Sequence, residues 1–166
     1  HFHGILSLEN AILEKNKPAS LETIISNAAA LPQAIKEEIV KVFGDDVLHE
    51  TYGSTEGGII SNLRPADQLR KLQCVGQPFP CTYIKVINES GDECNPNEVG
   101  EIFSSSPYLF NGYWKRPKET EEALDQGWLT VGDLAKRDDE GYLYIVDRKK
   151  DMVISGGINI YPREIE

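Results

Sequence analysis

"LETIISNAAALPQAIKEEIVKVFGDDVLHETYGSTEGG", residues 21–58, decides the fold class. Its opening "LETIISNAA" reads as a short buried strand that Ser26 and Asn27 bring to an end. Pro32 suits the first turn of the helix that follows, because a proline there gives up only an amide that no helical carbonyl would accept. Ile35, Ile39 and Val42 line one face of that helix, and Gly44 closes it. "VLHETY" is extended again. Strand, helix and strand in succession form an α/β pattern and predict a parallel sheet.

Upstream, Ile5, Leu8 and Ile12 recur at helical spacing within residues 2–15, and "KNKP" stops that helix. From about residue 80 the rhythm changes. "CTYIKVIN" alternates, "ESGDE" is a turn, "GEIFSSS" is a second strand, and "GYLYIVDR" places Leu143 and Ile145 on one face. The expected fold class is therefore α/β followed by mostly antiparallel β: a partial α/β subdomain over 1–78, then a distorted, barrel-like β subdomain over 79–149. The charged stretches "PADQLRKLQ" and "RPKETEEALDQ" read as helical connectors on solvated surface.

The 166 residues are 40% apolar and 27% charged, an ordinary globular balance. A formal net charge of -10 repels nucleic acid and anionic membranes, so nucleic-acid binding is set aside, and any phosphate ligand needs local donors or a metal ion. Cys74, Cys81 and Cys94 are odd in number and lack metal-ligand spacing, which fits three free, buried or half-buried thiols in a reducing compartment. No apolar run approaches the roughly 18 residues that cross a bilayer, and "HFHGILSLEN" has neither a basic flank nor a cleavage site, so a cytoplasmic protein without a transmembrane segment is expected. The only methionine is Met152, and "YPREIE" reads as the start of a helix, so the chain is expected to be a piece of something longer.

Three stretches can carry chemistry. In "YGSTEGG", glycine tolerates positive φ and lets backbone amides approach a ligand closely, so Gly53, Gly57 and Gly58 around Ser54 and Thr55 could form a phosphate cradle. Glu56 would supply a hard oxygen to Mg²⁺. The same residues also suit a polar turn between strands, with Thr55 and Glu56 only capping. In "GWLTVGDLAKRDDEGYLYIVDR", Asp133 ends an apolar strand where a carboxylate can accept both hydroxyls of a ribose, or simply close a turn. In "DRKKDMVISGGINIYPREIE", Arg148 offers a planar fork to phosphate or ribose oxygens, Lys149 and Lys150 add point charge, and Ser155, Gly156 and Gly157 form a flexible turn; a basic hairpin edge is the alternative.

Together, in order and spacing, these stretches resemble the adenylate-forming superfamily: acyl-CoA synthetases, aryl-CoA ligases, beetle luciferases and peptide-synthetase adenylation domains. "YGSTE" looks like its aromatic-Gly-x-Thr-Glu motif and "WLTVGDLA" its Trp-x-x-Thr-Gly-Asp motif. "YIVDRKKDMVISGGINIYPREIE" is similar to the long hinge motif almost throughout. "SNAAALP" stands where Ser-Gly-Gly-Ala-Pro-Leu is common, and "NGYWKRPKET" matches Gly-Tyr-x-x-x-Pro-x-x-Thr.

The resemblance implies a carboxylic acid activated by ATP, with acyl-AMP as intermediate, Mg²⁺ as metal and CoA as acceptor. By position, Tyr52 would stack on adenine, Thr55 would contact the α-phosphate and Glu56 would hold the metal. Asp133 and Arg148 would take the ribose and phosphate oxygens. Lys150 matches the hinge, so residues 150–166 would begin a small C-terminal domain. Loading of a carrier protein, or a non-catalytic AMP-binding module, are the other readings. The departures are Val131, at the usual threonine of the Gly-Asp motif, and Asn27 and Ala28, at glycines that line the family's acid pocket. Neither the pyrophosphate-holding loop ending in Pro-Lys nor the C-terminal lysine of adenylation occurs in these residues, so the chain alone is expected to be inactive. The acid and the oligomeric state are not specified.

Overall fold

Pro32 caps the helix that organises the first sheet: α2 (Gln33–Phe43) starts directly after it and ends where the Gly44 amide bonds to the Val40 carbonyl. The computed structural model describes residues 4, 6, 8, 10–155, 158–160 and 162, with α1 (Asn10–Asn16) leading into β1 (Ile24–Ser26). Ile5 of the expected first helix, Gly156 and Gly157, and, save Pro162, the helix expected over "YPREIE" lie outside the described residues.

The first sheet runs β1, β2 (Leu48–Ser54), β3 (Gly58–Leu63), β4 (Gln77–Pro78). Only β1 and β2 are parallel, as the α2 crossover requires; β3 and β4 add antiparallel, so the sheet is mixed. Ile39 on α2 packs against Ile24, Val47 and Leu48.

The second sheet is antiparallel, with order β10 (Leu143–Arg148), β9 (Asp133–Arg137), β6 (Gly100–Ser105), β8 (Trp128–Leu129), β7 (Leu124–Asp125), and with β5 (Tyr83–Ile87) also on β6. Burial alternates residue by residue along β6, as expected for a strand with one covered face. Among the described residues the sheet stays open rather than closing into the expected barrel. The free edge of β10 is taken by the segment feeding β4: the Val75 amide bonds to the Leu143 carbonyl at 2.9 Å and the Leu143 amide to the Gly76 carbonyl at 2.8 Å. One core of Ile60, Val86, Ile102, Ala135 and Leu143 therefore spans both sheets, with Tyr52 and Ile145 against it. A final hairpin, β11 (Val153–Ser155) and β12 (Ile158–Ile160), forms a two-stranded sheet.

Of the two charged connectors, one is the expected solvated helix and the other is not. "RPKETEEALDQ" forms α3 (Pro117–Ala123), with no buried residue, but "PADQLRKLQ" makes only a 3-10 turn at Pro65–Asp67. Its Gln68 and Lys71 are buried. The Lys71 ammonium bonds to Asp138 and Glu140, each at 2.7 Å, and lies 4.5 Å from the centre of the Tyr142 ring. This cluster rivets the segment after β3 to the β9–β10 turn. Cys74 is buried, Cys94 half-buried and Cys81 exposed, and all three are free.

Ala28 has φ 71°, a left-handed conformation that suits the glycine its position resembles. Left-handed strain of about 1–2 kcal/mol, set against the extra chain entropy of glycine at about 0.5–1 kcal/mol, makes Ala28→Gly stabilising by about 0.5–1 kcal/mol. Urea unfolding measures it; a lowered midpoint would contradict the conformation.

Candidate functional site

The "YGSTEGG" stretch is a hairpin tip, the turn between strands that its residues also suit. Tyr52, Gly53 and Ser54 belong to β2, Thr55–Gly57 turn, and Gly58 begins β3. The strand register shifts between Tyr52 and Gly53. A Cβ on Gly53 would sit 2.0 Å from the Gly58 carbonyl oxygen, so only glycine permits this close approach. The Ser54 hydroxyl accepts from the Gly57 amide at 3.0 Å and fixes the turn, while Thr55 is exposed at its tip.

Tyr52 points its hydroxyl across to the second sheet and donates to Asp133 Oδ2 at 2.7 Å. Burial first, and then the Asp133 carboxylate, push the phenol well above its ordinary value, so it stays a donor. Asp133 Oδ1 is 3.1 Å from Arg148 Nε. That pairing depends on a bulge: the register of β9 and β10 shifts between Ile145 and Asp147, and Arg148 then lies opposite Asp133. The Arg148 side chain is 53% exposed against 9% for Asp133, so the guanidinium faces outward from a buried acceptor. Three residues separated widely in sequence thus form one hydrogen-bonded chain.

Glu56 is held differently. Its carboxylate accepts from the Tyr113 hydroxyl at 2.7 Å, and its carbonyl accepts from the Phe110 amide at 2.8 Å, so the segment before α3 folds over the hairpin tip. The Tyr113 hydroxyl, helped by Ser54 and Arg148, holds the Glu56 carboxyl below the usual range. The group remains an anion at neutral pH. Tyr113 lies in the "NGYWKRPKET" segment, whose sequence does not by itself point to Glu56, 57 positions away.

Two clefts meet at Val131 and Gly132. One, of about 510 Å³, is lined by Glu101, Tyr113, Arg116, Thr130, Val131 and Gly132. The other, of about 350 Å³, is lined by Val131, Gly132, Arg148, Lys149 and Lys150. Both fall within the roughly 300–1,000 Å³ typical of small-molecule sites. Tyr52, Thr55, Glu56 and Asp133 line neither; Tyr113 links Glu56 to the first cleft and Arg148 links Asp133, and through it Tyr52, to the second, while Thr55 stands exposed at the hairpin tip. Lys150 is exposed in the turn after β10, where the Asp151 and Met152 amides bond to the Arg148 carbonyl.

The donor set suits a phosphorylated nucleoside: a buried carboxylate, an outward guanidinium, a glycine turn and an ionised carboxylate. Among the described residues no group of three or more His, Cys, Asp or Glu gathers to hold a metal, whereas Mg²⁺ commonly takes one or two carboxylates and completes its shell with water and phosphate. Glu56 fits that role. No helix among the described residues is long and apolar enough to cross a membrane.

Residues 1–114 match a family model described as "AMP-binding enzyme". A long-chain-fatty-acid–CoA ligase of Bacillus subtilis (strain 168) is 40% identical over 89% of this chain and 26% of its own length. One from Escherichia coli O157:H7 is 38% identical over 98% of this chain and 30% of its own. Among solved structures, O-succinylbenzoate coenzyme A synthetase from Bacillus subtilis, in complex with ATP and magnesium ion, superimposes with a TM-score of 0.86 at 34% identity, over 99% of this chain and 33% of that one. An amide bond synthetase from Marinactinospora thermotolerans gives 0.89 at 29% identity, over 99% of this chain and 34% of that one. The chain therefore spans less than a third of the length of these curated ligases.

Proposed function

From the premise that this chain belongs to the AMP-binding enzyme family, we propose that it forms the nucleotide-binding part of an ATP-dependent carboxylic acid:CoA ligase acting on fatty acids. The observation that supports this most directly is the chain of contacts from Tyr52 through Asp133 to Arg148, beside the glycine hairpin. Asp133 would accept the ribose hydroxyls and Arg148 would reach ribose or phosphate oxygens. Thr55 and the Gly53–Ser54 backbone would meet the α-phosphate, and the half-buried ring of Tyr52 would border the adenine while its hydroxyl orients Asp133. Mg²⁺, when bound, would neutralise phosphate charge, and Glu56 would be its protein ligand.

Activation converts a carboxylate, whose oxygen is a poor leaving group, into an acyl-AMP with loss of pyrophosphate; a thiol then displaces AMP. Both steps develop negative charge on phosphate or carbonyl oxygens, so fixed donors and positioned reactants are what the protein supplies. These activities are proposed for a full-length protein, and inactivity of residues 1–166 in isolation is part of the proposal. A cytoplasmic location is proposed with it.

The test is product formation by the full-length protein given a long-chain fatty acid, ATP, Mg²⁺ and CoA, with acyl-CoA and AMP expected. The fold also carries amide formation in a structural neighbour, so a phosphopantetheinylated carrier and an amine are tested as competing acceptors. Acylation of either in preference to CoA would overturn the CoA assignment.

Lys150, in the turn that follows β10, would be the hinge. Proline fixes φ near -65°, so Lys150→Pro is expected to retain pyrophosphate exchange and lose thioester formation by at least about tenfold. Equal loss of both half-reactions would remove the hinge role.

A further inference from the structure

Glu101, on β6, receives two bonds from the segments that flank Asp133 and Arg148. Thr130 Oγ1 donates to Glu101 Oε1 at 2.7 Å, and Lys149 Nζ donates to Glu101 Oε2 at 2.7 Å. The ring then closes through the backbone. The Gly132 amide donates to Thr130 Oγ1 at 3.1 Å, and the Lys149 amide donates to the Gly132 carbonyl at 2.8 Å. Gly132 directly precedes Asp133 and Lys149 directly follows Arg148, so one carboxylate on a third strand ties together the start of β9 and the end of β10.

We propose that Glu101 is a positioning residue for nucleotide binding, holding Asp133 and Arg148 in register through Thr130 and Lys149; this rests on the nucleotide reading above. In this chain the hydroxyl at Thr130 both accepts the Gly132 amide and donates to Glu101.

The two arms are unequal. Lys149 is 61% exposed, so its ion pair is screened and weak, whereas the Glu101 side chain is only 15% exposed and takes a short, charge-assisted bond from the half-buried Thr130 hydroxyl. Thr130 carries most of the effect.

The experiment measures AMP affinity by calorimetry, and KM for ATP and for the acid, on the full-length protein. Thr130→Val is expected to weaken AMP about tenfold, the effect of losing one hydrogen bond to a charged group. Thr130→Ser should restore it, and Lys149→Met should cost only about twofold and less at high salt. KM for the acid should stay unchanged. Glu101→Gln, which keeps an acceptor for Thr130 and loses the charge, should fall between Thr130→Val and the parent and serves if Thr130→Val does not fold. AMP affinity equal to the parent's in folded Thr130→Val or Glu101→Gln, with Asp133→Asn still weakened, overturns the role of Glu101 alone. Parent-like affinity in Asp133→Asn overturns the nucleotide reading instead. Equal rises in both KM values, with a lowered unfolding temperature, would make the ring merely structural and also overturn the proposal.

Discussion

Lys36→Met should destabilise the protein by about 3–5 kcal/mol, the cost of leaving one partner of a buried ion pair behind. Lys36 on α2 is 1% exposed and its ammonium lies 2.5 Å from Glu50 Oε2 on β2, itself 5% exposed. The other Glu50 oxygen accepts from the Leu31 amide at 3.2 Å, so the pair also anchors the segment between β1 and α2 that contains Asn27 and Ala28. Removing only the lysine strands a carboxylate in a low-dielectric interior with a single backbone donor. The pair as a whole need contribute little, since desolvation of both charges offsets much of their attraction. Lys36→Met combined with Glu50→Gln should therefore cost much less than Lys36→Met alone. Urea unfolding of the three proteins checks this; a single variant within about 1 kcal/mol of the parent would show that the pair is not sequestered from water.

Asp133→Asn should weaken AMP binding more than tenfold, since hydrogen bonds to an ionised group contribute about 1.5–3 kcal/mol and about 1.4 kcal/mol is a factor of ten. Asparagine keeps the shape and leaves an oxygen for the Tyr52 hydroxyl, so the fold should survive. The lost ion pair to Arg148 matters less because that side chain is more than half exposed and screened by solvent. Tyr52→Phe removes only the hydroxyl that orients the carboxylate and should cost less than Asp133→Asn. Calorimetry with AMP on the full-length protein decides the matter: parent-like affinity in Asp133→Asn would take the ribose role from this residue.

The α/β opening was legible because each element carries its own punctuation. Pro32 and Gly44 bracket α2, and the 3.6-residue period places Ile39 on its buried face. The same period sets Lys36 on that face, three residues before Ile39, but does not say what pairs a lysine buried there, because its partner comes from another strand. Similarly, the alternation in "GYLYIVDR" marks a strand and its covered face, but not the bulge that sets Arg148 opposite Asp133. Of the candidate site, the motifs supplied Tyr52, Asp133 and Arg148, which share one hydrogen-bonded chain. Tyr113, Glu101 and Thr130 were not legible as partners, since the Tyr113–Glu56, Thr130–Glu101 and Lys149–Glu101 contacts bridge residues 57, 29 and 48 positions apart.

Sequence alone determined the kinds of element, their order and the residue types able to meet a nucleotide, because backbone preference and hydrophobic period act over a few residues. Tertiary structure decided which segment covers the edge of β10, the register at the bulge and the burial of Lys36. Each of those depends on which distant backbone group or charge arrives beside it, and that is a property of packing, with no local signature in the chain.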